Sequence, residues 1–425
     1  MLKVLSLVKK VEILGLVRST FSFAEAMSLA IDDKKAAEAN KTEEKKTRYN
    51  GWKKKRNWES KDEPREKRAN LEEPFVRIKR KKSVILLGYS GKEYYGMQRN
   101  PDVKTVEEEL LSAMLKHKWI TEESYKFPQG IAFQRAARTD KGVSAVRQCV
   151  SIKLPLELDI PALNEDLPKA IKVFAVRTAT QGFNAKNDCM ARTYTYTFPT
   201  VALVSHIDKT VTMENYRVSS DILNRFRDIL KMYEGSKNYH NFTARKEYLD
   251  PSCNRYILSF TADEPFIVDG VEFVVLRVKG QSFMMHQIRK MVGLALIVIR
   301  GHAEIEVLHR AFTQARVNVP RAPGLGLVLD TLHYDRYNRR YGSDGIHTPL
   351  EWTEFEEEIQ KFVKEEIYPV ITNTEIKEKA MVEWLEKLYR HDFSENAADN
   401  ESNDEGDETE DPAEGPENKE TQKSS

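Results

Sequence analysis

Cysteine is scarce. The three present, Cys149, Cys189 and Cys253, make an odd number with no Cys-x-x-Cys pair. That excludes a disulfide framework and a cysteine-held zinc, and it fits a reducing compartment. Long hydrophobic runs are lacking too. The most apolar stretch, Met291 to Ile299, falls far short of the roughly 18 residues a membrane span requires, so it is expected as a buried helix and no membrane anchor is implied. There is no dinucleotide glycine fingerprint, no Gly-x4-Gly-Lys-Ser/Thr phosphate loop and no His-Glu-x-x-His helix, which leaves any catalysis to side chains alone. His117, His240 and His286 show no ligand spacing, so no metal is assigned.

An excess of either charge is also missing. Lys and Arg number 67 against 66 Asp and Glu, a net charge of +1 that by itself argues for no partner. Placement matters more than the sum. Basic residues crowd into Lys53 to Arg56 and Lys79 to Lys82, whereas Glu395 to Glu420 is acidic, rich in Asn, Ser and Gly, and nearly free of large apolar residues. Both ends, residues 1–78 and 393–425, are therefore expected to be disordered, and the body without its acidic tail is basic enough to approach a phosphate backbone. The first 22 residues carry Lys3, Lys9, Lys10 and Arg18 against Glu12 alone, interleaved with Leu, Val and Phe. This composition matches either a mitochondrial presequence or a weakly amphipathic disordered leader. Met27 lies just beyond it, so a second start there would give a form without the presequence, its clusters beginning at Lys53 and Lys79 serving as nuclear-import or RNA-contacting patches. The expected locations are nucleus and mitochondrion. Trp52 and Trp58 bracket Lys53 to Arg56, a segment suited to stacking on RNA bases or to remaining a solvated charge run.

Between the ends, the periodicity predicts an α+β protein. Val84 to Leu87 form a strand-length apolar run closed by Ser90-Gly91, and Thr105-Val106-Glu107-Glu108 reads as a capping box opening a helix to His117. Val146, Val150, Ile152 and Leu154 predict a half-buried strand, as do Ile171, Val173 and Ala175; Tyr194, Tyr196 and Phe198 predict a third. Ile222 to Tyr233 mark a second helix. Strands follow near Tyr256 to Thr261 and Val271 to Val278, then helices over Ser282 to Arg300 and near Ile305 to Thr313, then a strand from Leu325 to Leu332. The expected architecture is two similar halves, 79–200 and 201–340, each a sheet covered on one face by helices, with a central cleft at their seam. Residues 341–392 are expected as a helical extension outside the sheet, with Trp352, Phe355, Ile359 and Phe362 at helical spacing and a further helix around Met381 to Tyr389.

The segment Ala137-Arg138-Thr139-Asp140-Lys141-Gly142-Val143-Ser144 sets one carboxylate between cationic residues and a glycine turn. Arg138 could hold a phosphate while the carboxylate stays ionised, and Gly142 permits the tight backbone that projects Asp140 into a cleft. The same string also describes an ordinary turn in which Asp bonds its own backbone.

Four further segments accompany it in fixed order: Gly88 to Gly91 with Tyr95-Gly96-Met97-Gln98, Phe183-Asn184-Ala185 with Ala191-Arg192-Thr193-Tyr194, Phe283 to Gly293, and Ala322 to Leu327. Together they resemble the TruA family of pseudouridine synthases over roughly Ser83 to Tyr334, and its eukaryotic tRNA-modifying subgroup in particular. The resemblance implies isomerisation of uridine to pseudouridine with no cofactor, and tRNA as partner, with small nuclear RNA and messenger RNA as further expected substrates. It implies Asp140 as nucleophile, Arg289 as the cation beside it, Tyr194 stacking on the target base, Arg138 on a phosphodiester or in the gap left by the flipped uridine, and Leu325 against the uracil face. From the residues alone, Arg289 could equally be a surface arginine, Tyr194 a core tyrosine and Leu325 a core leucine. A non-catalytic RNA-binding protein and a base-removing glycosidase are the rival readings. Oligomeric state is left open.

Overall fold

The computed structural model describes residues 79–207 and 210–388 together with His391 and Phe393. The leader, Met27, the Trp52 to Trp58 segment and the acidic tail lie outside the described residues. The first apolar run becomes β1 (Lys81–Tyr89), buried along its length after Lys81. α1 (Val106–Lys116) is capped as expected: Thr105 Oγ1 accepts the Glu108 N–H at 3.3 Å. The Glu108 carboxylate is engaged by Arg99 and Tyr125, so the capping box supplies one side-chain bond. α2 (Glu122–Lys126), β2 (Gln134–Arg135), β3 (Ser144–Leu154), α3 (Ile160–Asp166) and β4 (Ile171–Thr178) follow. Next come β5 (Ala191–Pro199), α4 (Ser220–Lys231), β6 (Gly235–Asn238), β7 (Asn254–Ala262), β8 (Phe266–Val268) and β9 (Val271–Gly280), then α5 (Gln287–Ile299), α6 (Ile305–Arg310) and β10 (Leu327–His333).

The strands form one continuous sheet in the order β4-β1-β3-β10-β5-β9-β7-β6, with β2 on β3 and β8 on β9. The architecture is α+β, but the expected separate sheets are joined. The join is β10, the last strand in the chain, which returns to pair parallel with β3, matching Val328 to Ser144 and Leu329 to Ala145. On its other side β10 pairs antiparallel with β5.

β3 was expected to be half-buried and is instead covered on both faces, as is β5, where even Thr193, Thr195 and Thr197 are buried. The C-terminal region accounts for much of this in the first half. It comprises α7 (Asp335–Tyr341), α8 (Glu356–Phe362), a π-helical turn (Val363–Ile367), α9 (Tyr368–Glu378) and α10 (Ala380–Leu388), and among the described residues it adds no strand. Arg147 alternates with the buried Gln148 and so points to the opposite face, where it pairs with Glu356 at 2.8 Å. Nearby, Arg177 lies 4.4 Å over the Trp352 ring and Phe174 meets Phe362 edge-on. α9 has no counterpart among the expected elements because its buried residues are Ile371, Thr372, Thr374 and Glu375, a mostly polar set that hides the apolar period. Among the described residues no helix is long and apolar enough to cross a membrane.

Candidate active site

Parallel strands begin at the same end of a sheet, so the two loops that feed β3 and β10 lie side by side. One carries Asp140, the other Ala322 to Gly326. They meet at Gly324, where the position a Cβ would take is 3.7 Å from the Lys141 carbonyl oxygen and 3.6 Å from the Arg289 guanidinium carbon. A third segment, Tyr94 to Met97, presses on the Asp140 loop from the far side. Gly96 has φ +97°, and a Cβ there would stand 2.6 Å from the Thr139 carbonyl oxygen, so only glycine permits the approach. Met97 N–H donates to that same oxygen at 3.2 Å, and Gly142 N–H donates to the Tyr94 carbonyl at 3.1 Å. The segment is anchored in turn by α1, whose first amides, Val106 and Glu107, donate to the Gly96 and Met97 carbonyls.

Within the loop, the Asp140 carbonyl closes the turn by accepting Val143 N–H at 3.1 Å, and Gly142 adopts φ +77°. The Asp140 side chain is 30% exposed, with Oδ2 4.0 Å from Nε2 of the buried His286. Arg321 Nη1 lies 3.0 Å from the same ring nitrogen. His286 has φ 61°, a left-handed backbone that a β-carbon tolerates poorly, and it marks where α5 begins. The helix expected from Ser282 therefore starts at Gln287, and the irregular stretch before it brings Phe283 and His286 toward β5 and Asp140. Arg289, in the first turn of α5, is half-buried; its Nε donates to the Ala322 carbonyl at 2.8 Å while Ala322 N–H donates back to the Arg289 carbonyl at 3.2 Å.

Tyr194 is buried with its ring edge-on to Phe283 at 5.3 Å. Burial pushes its hydroxyl far above the ordinary tyrosine range; Arg192 pulls it back in part, while Tyr89 and Asp140 push it further up. Tyr196, two residues on, donates to the Pro323 carbonyl at 2.6 Å and so belongs to the scaffold beneath the Ala322 loop. Leu325 is half-exposed in the turn before β10, outside the core and next to Gly324. Arg138 stands exposed, two residues before Asp140 on the same loop. The structure thus gathers Asp140, Tyr194, Arg289 and Leu325 around the β3–β10 seam, with Arg138 at its rim.

Several residues here were given no role in the site by the sequence reading. Gln148, fully buried, donates from Nε2 to the Ala137 carbonyl at 2.8 Å and accepts Ala137 N–H at 3.2 Å. Tyr89 and Thr139 share a hydroxyl hydrogen bond of 2.8 Å, and burial raises the Tyr89 pKa to about 12. The Arg192 guanidinium donates to the carbonyls of Ala136, Lys186 and Gln281, tying the approach to Asp140 to β5 and to the stretch before α5. The available signal was a polar residue inside an apolar stripe: Gln148 falls between Val146 and Val150, where a buried amide must find backbone partners. His286 offered no such signal. Among the described residues no cluster of His, Cys, Asp and Glu is arranged to hold a metal.

A part-exposed carboxylate on the loop before β3, a guanidinium beside the glycine loop that meets it, and a neutral buried phenol form a set able to receive a planar base on an anionic strand and to act on it as nucleophile or base. Comparison with known proteins agrees with this chemistry. Residues 229–335 match a family model described as tRNA pseudouridine synthase. The chain is 46% identical over 346 residues to a mouse pseudouridylate synthase 1 homolog, covering 80% of this chain and 82% of that one. The human counterpart is 48% identical over 318 residues, 74% of each. A tRNA pseudouridine synthase 1 of Yarrowia lipolytica is 30% identical over 403 residues, covering 74% of this chain and 76% of the other.

Proposed function

Because the chain belongs to the tRNA pseudouridine synthase family, its reaction is the isomerisation of uridine to pseudouridine in tRNA, and we propose that Asp140 is the residue that carries it. The glycosidic bond from C1′ to N1 breaks, the uracil turns, a C1′–C5 bond forms, the C5 proton leaves and N1 takes up a proton, so the RNA mass is unchanged. Asp140 can serve by adding to C1′, by adding to C6, or by taking a sugar proton to form a glycal, and each route requires the carboxylate. The observation that supports the assignment is its position: a partly open carboxylate at the junction of three pinned segments, 4.0 Å from a buried imidazole.

A target uridine paired in a stem has to be flipped out to reach such a site. Once it covers Asp140, the carboxylate loses solvent, and Arg289, held by Ala322, supplies the opposing charge that offsets the cost. Arg138 at the rim holds the phosphodiester or fills the vacated stack. Tyr194 stacks on the uracil, and Leu325 covers its other side. Near neutral pH Tyr194 is a neutral phenol, so it assists departure of the C5 proton only as a relay, accepting on a lone pair and passing on its own proton.

Release of tritium from C5-labelled uridine in tRNA tests the reading. Asp140→Asn should abolish release; a variant that keeps it overturns the nucleophile. Free uracil as product would mark a glycosidase, and a wild type inert on all RNA would favour a binding protein. We extend the proposal to anticodon-stem uridines 27 and 28, and to structured sites in small nuclear and messenger RNA. Sequencing cellular RNA for pseudouridine with and without the protein checks this. The leader composition supports locations in mitochondrion and nucleus, with starts at Met1 and Met27. Fluorescent fusions from the two starts that localised identically would remove that part.

A further inference from the structure

Two adjacent tyrosines precede Gly96 and meet opposite fates. Tyr94 is 2% exposed, whereas Tyr95 is 53% exposed. Tyr95 is not a loose surface residue. Its N–H donates to the Lys104 carbonyl at 2.9 Å, and the residues flanking it are bonded to the Asp140 loop through Tyr94 to Gly142 and Met97 to Thr139. Its ring carries the Lys141 ammonium 4.2 Å from the centroid, and Lys141, itself exposed, directly follows Asp140. A large aromatic is thus displayed from a fixed backbone, next to a cation, at the edge of the reacting centre.

Extruding a uridine from a stack leaves each flanking base with one bare face, and an exposed aromatic ring can cover such a face whatever the base. The neighbouring ammonium suits the phosphate that joins that nucleotide to the target. We infer that Tyr95 and Lys141 form a stacking subsite for a nucleotide adjoining the target uridine, the ring against its base and the ammonium toward its phosphate. This subsite rests on the assignment of Asp140 as the reacting carboxylate. It favours tolerance of different neighbours, since stacking reads a π-face and not hydrogen-bonding edges.

The test uses the full chain and tRNA substrates in which the nucleotide 5′ or 3′ of the target is intact or abasic. Tyr95→Ala should raise KM by about 5- to 100-fold, the range that loss of one stacked base gives, with kcat little changed, and Tyr95→Phe should restore it. An abasic neighbour on one side should raise the wild-type KM similarly and cost Tyr95→Ala nothing further. Lys141→Gln should flatten the salt dependence of KM by about one phosphate contact. The subsite is overturned if Tyr95→Ala keeps the wild-type KM, or if abasic neighbours on either side cost the variant as much as the wild type. A wild type that forms no pseudouridine removes this inference together with the role of Asp140, whereas an active Tyr95→Ala with the wild-type KM removes the subsite alone.

Discussion

The Asp140 loop and the C-terminal extension are both fastened to the same sheet, by different means. Hydrogen bonds to its backbone hold the loop: Thr139 to Met97, Tyr94 to Gly142, and Ala137 to the Gln148 side-chain amide. Ion pairs with half-exposed carboxylates are prominent in the extension, Arg147 with Glu356, Lys172 with Glu358, Lys92 with Glu378 and Arg177 with Glu354. Pairs of that kind are worth about 0–1 kcal/mol each and weaken with salt, so the lasting attachment is the apolar packing of Trp352, Phe362 and Ile371. Short-range backbone bonds give the loop a geometry that salt does not loosen, as a reacting group requires. The extension needs only to stay in place.

The sharpest break of this contrast is Asp140→Asn, which should lower tritium release on the order of 10⁴-fold or more while leaving thermal unfolding nearly unchanged. Gln148→Leu should destabilise by about 2–4 kcal/mol, because the N–H and carbonyl of Ala137 are left buried without their partners. Urea denaturation would show it, and activity should fall with it because the stretch leading to Asp140 is released.

The extension carries a pH-dependent counterpart. Burial raises the Glu375 carboxyl to about 7, with Glu378 and Glu383 adding to the rise and the Met381 N–H opposing it. A folded pKa above the unfolded one means stability present at low pH and lost as pH climbs from the mid-4s through 7. That loss should be on the order of 2–3 kcal/mol by pH 8. Glu375→Gln keeps an acceptor for Met381 and should flatten the slope, which melting at pH 5 and pH 8 would measure. A variant as pH-dependent as the wild type would show that Glu375 is not the group responsible. Gly96→Ala should cost about 1–3 kcal/mol from its left-handed backbone and the clash with Thr139, and should depress activity beyond what the loss of folded protein explains. Smallest is Arg177→Met, which loses the contacts with Glu354 and Pro349 and the stack on Trp352; a change within about 1 kcal/mol, shrinking in high salt, fits the contrast.

Legibility in the sequence followed the range of the interactions. The Thr105 cap, the apolar run of β1 and the glycine turn after Asp140 could be read because each depends on residues a few positions apart. α5 was started five residues too early because apolar content continued through Phe283, Met284 and Met285 while His286 broke the helix with a left-handed backbone. α9 was hidden because it buries Thr372, Thr374 and Glu375. Burial of β3 on both faces was missed because Arg147, a charged residue facing away from Gln148, looks solvent-bound until Glu356 arrives from the extension.

By itself, then, the order of residues determined most strands and helices, the turn that presents Asp140, and a set of side chains competent for nucleophilic chemistry, since all of these are set by local pattern and residue type. Only the tertiary structure decided that β10 returns beside β3, that His286 stands 4.0 Å from Asp140, and that Tyr95 is displayed while Tyr94 is buried. Those outcomes depend on pairing between segments distant along the chain, where the gain from burial and hydrogen bonding is realised only once the whole sheet has closed.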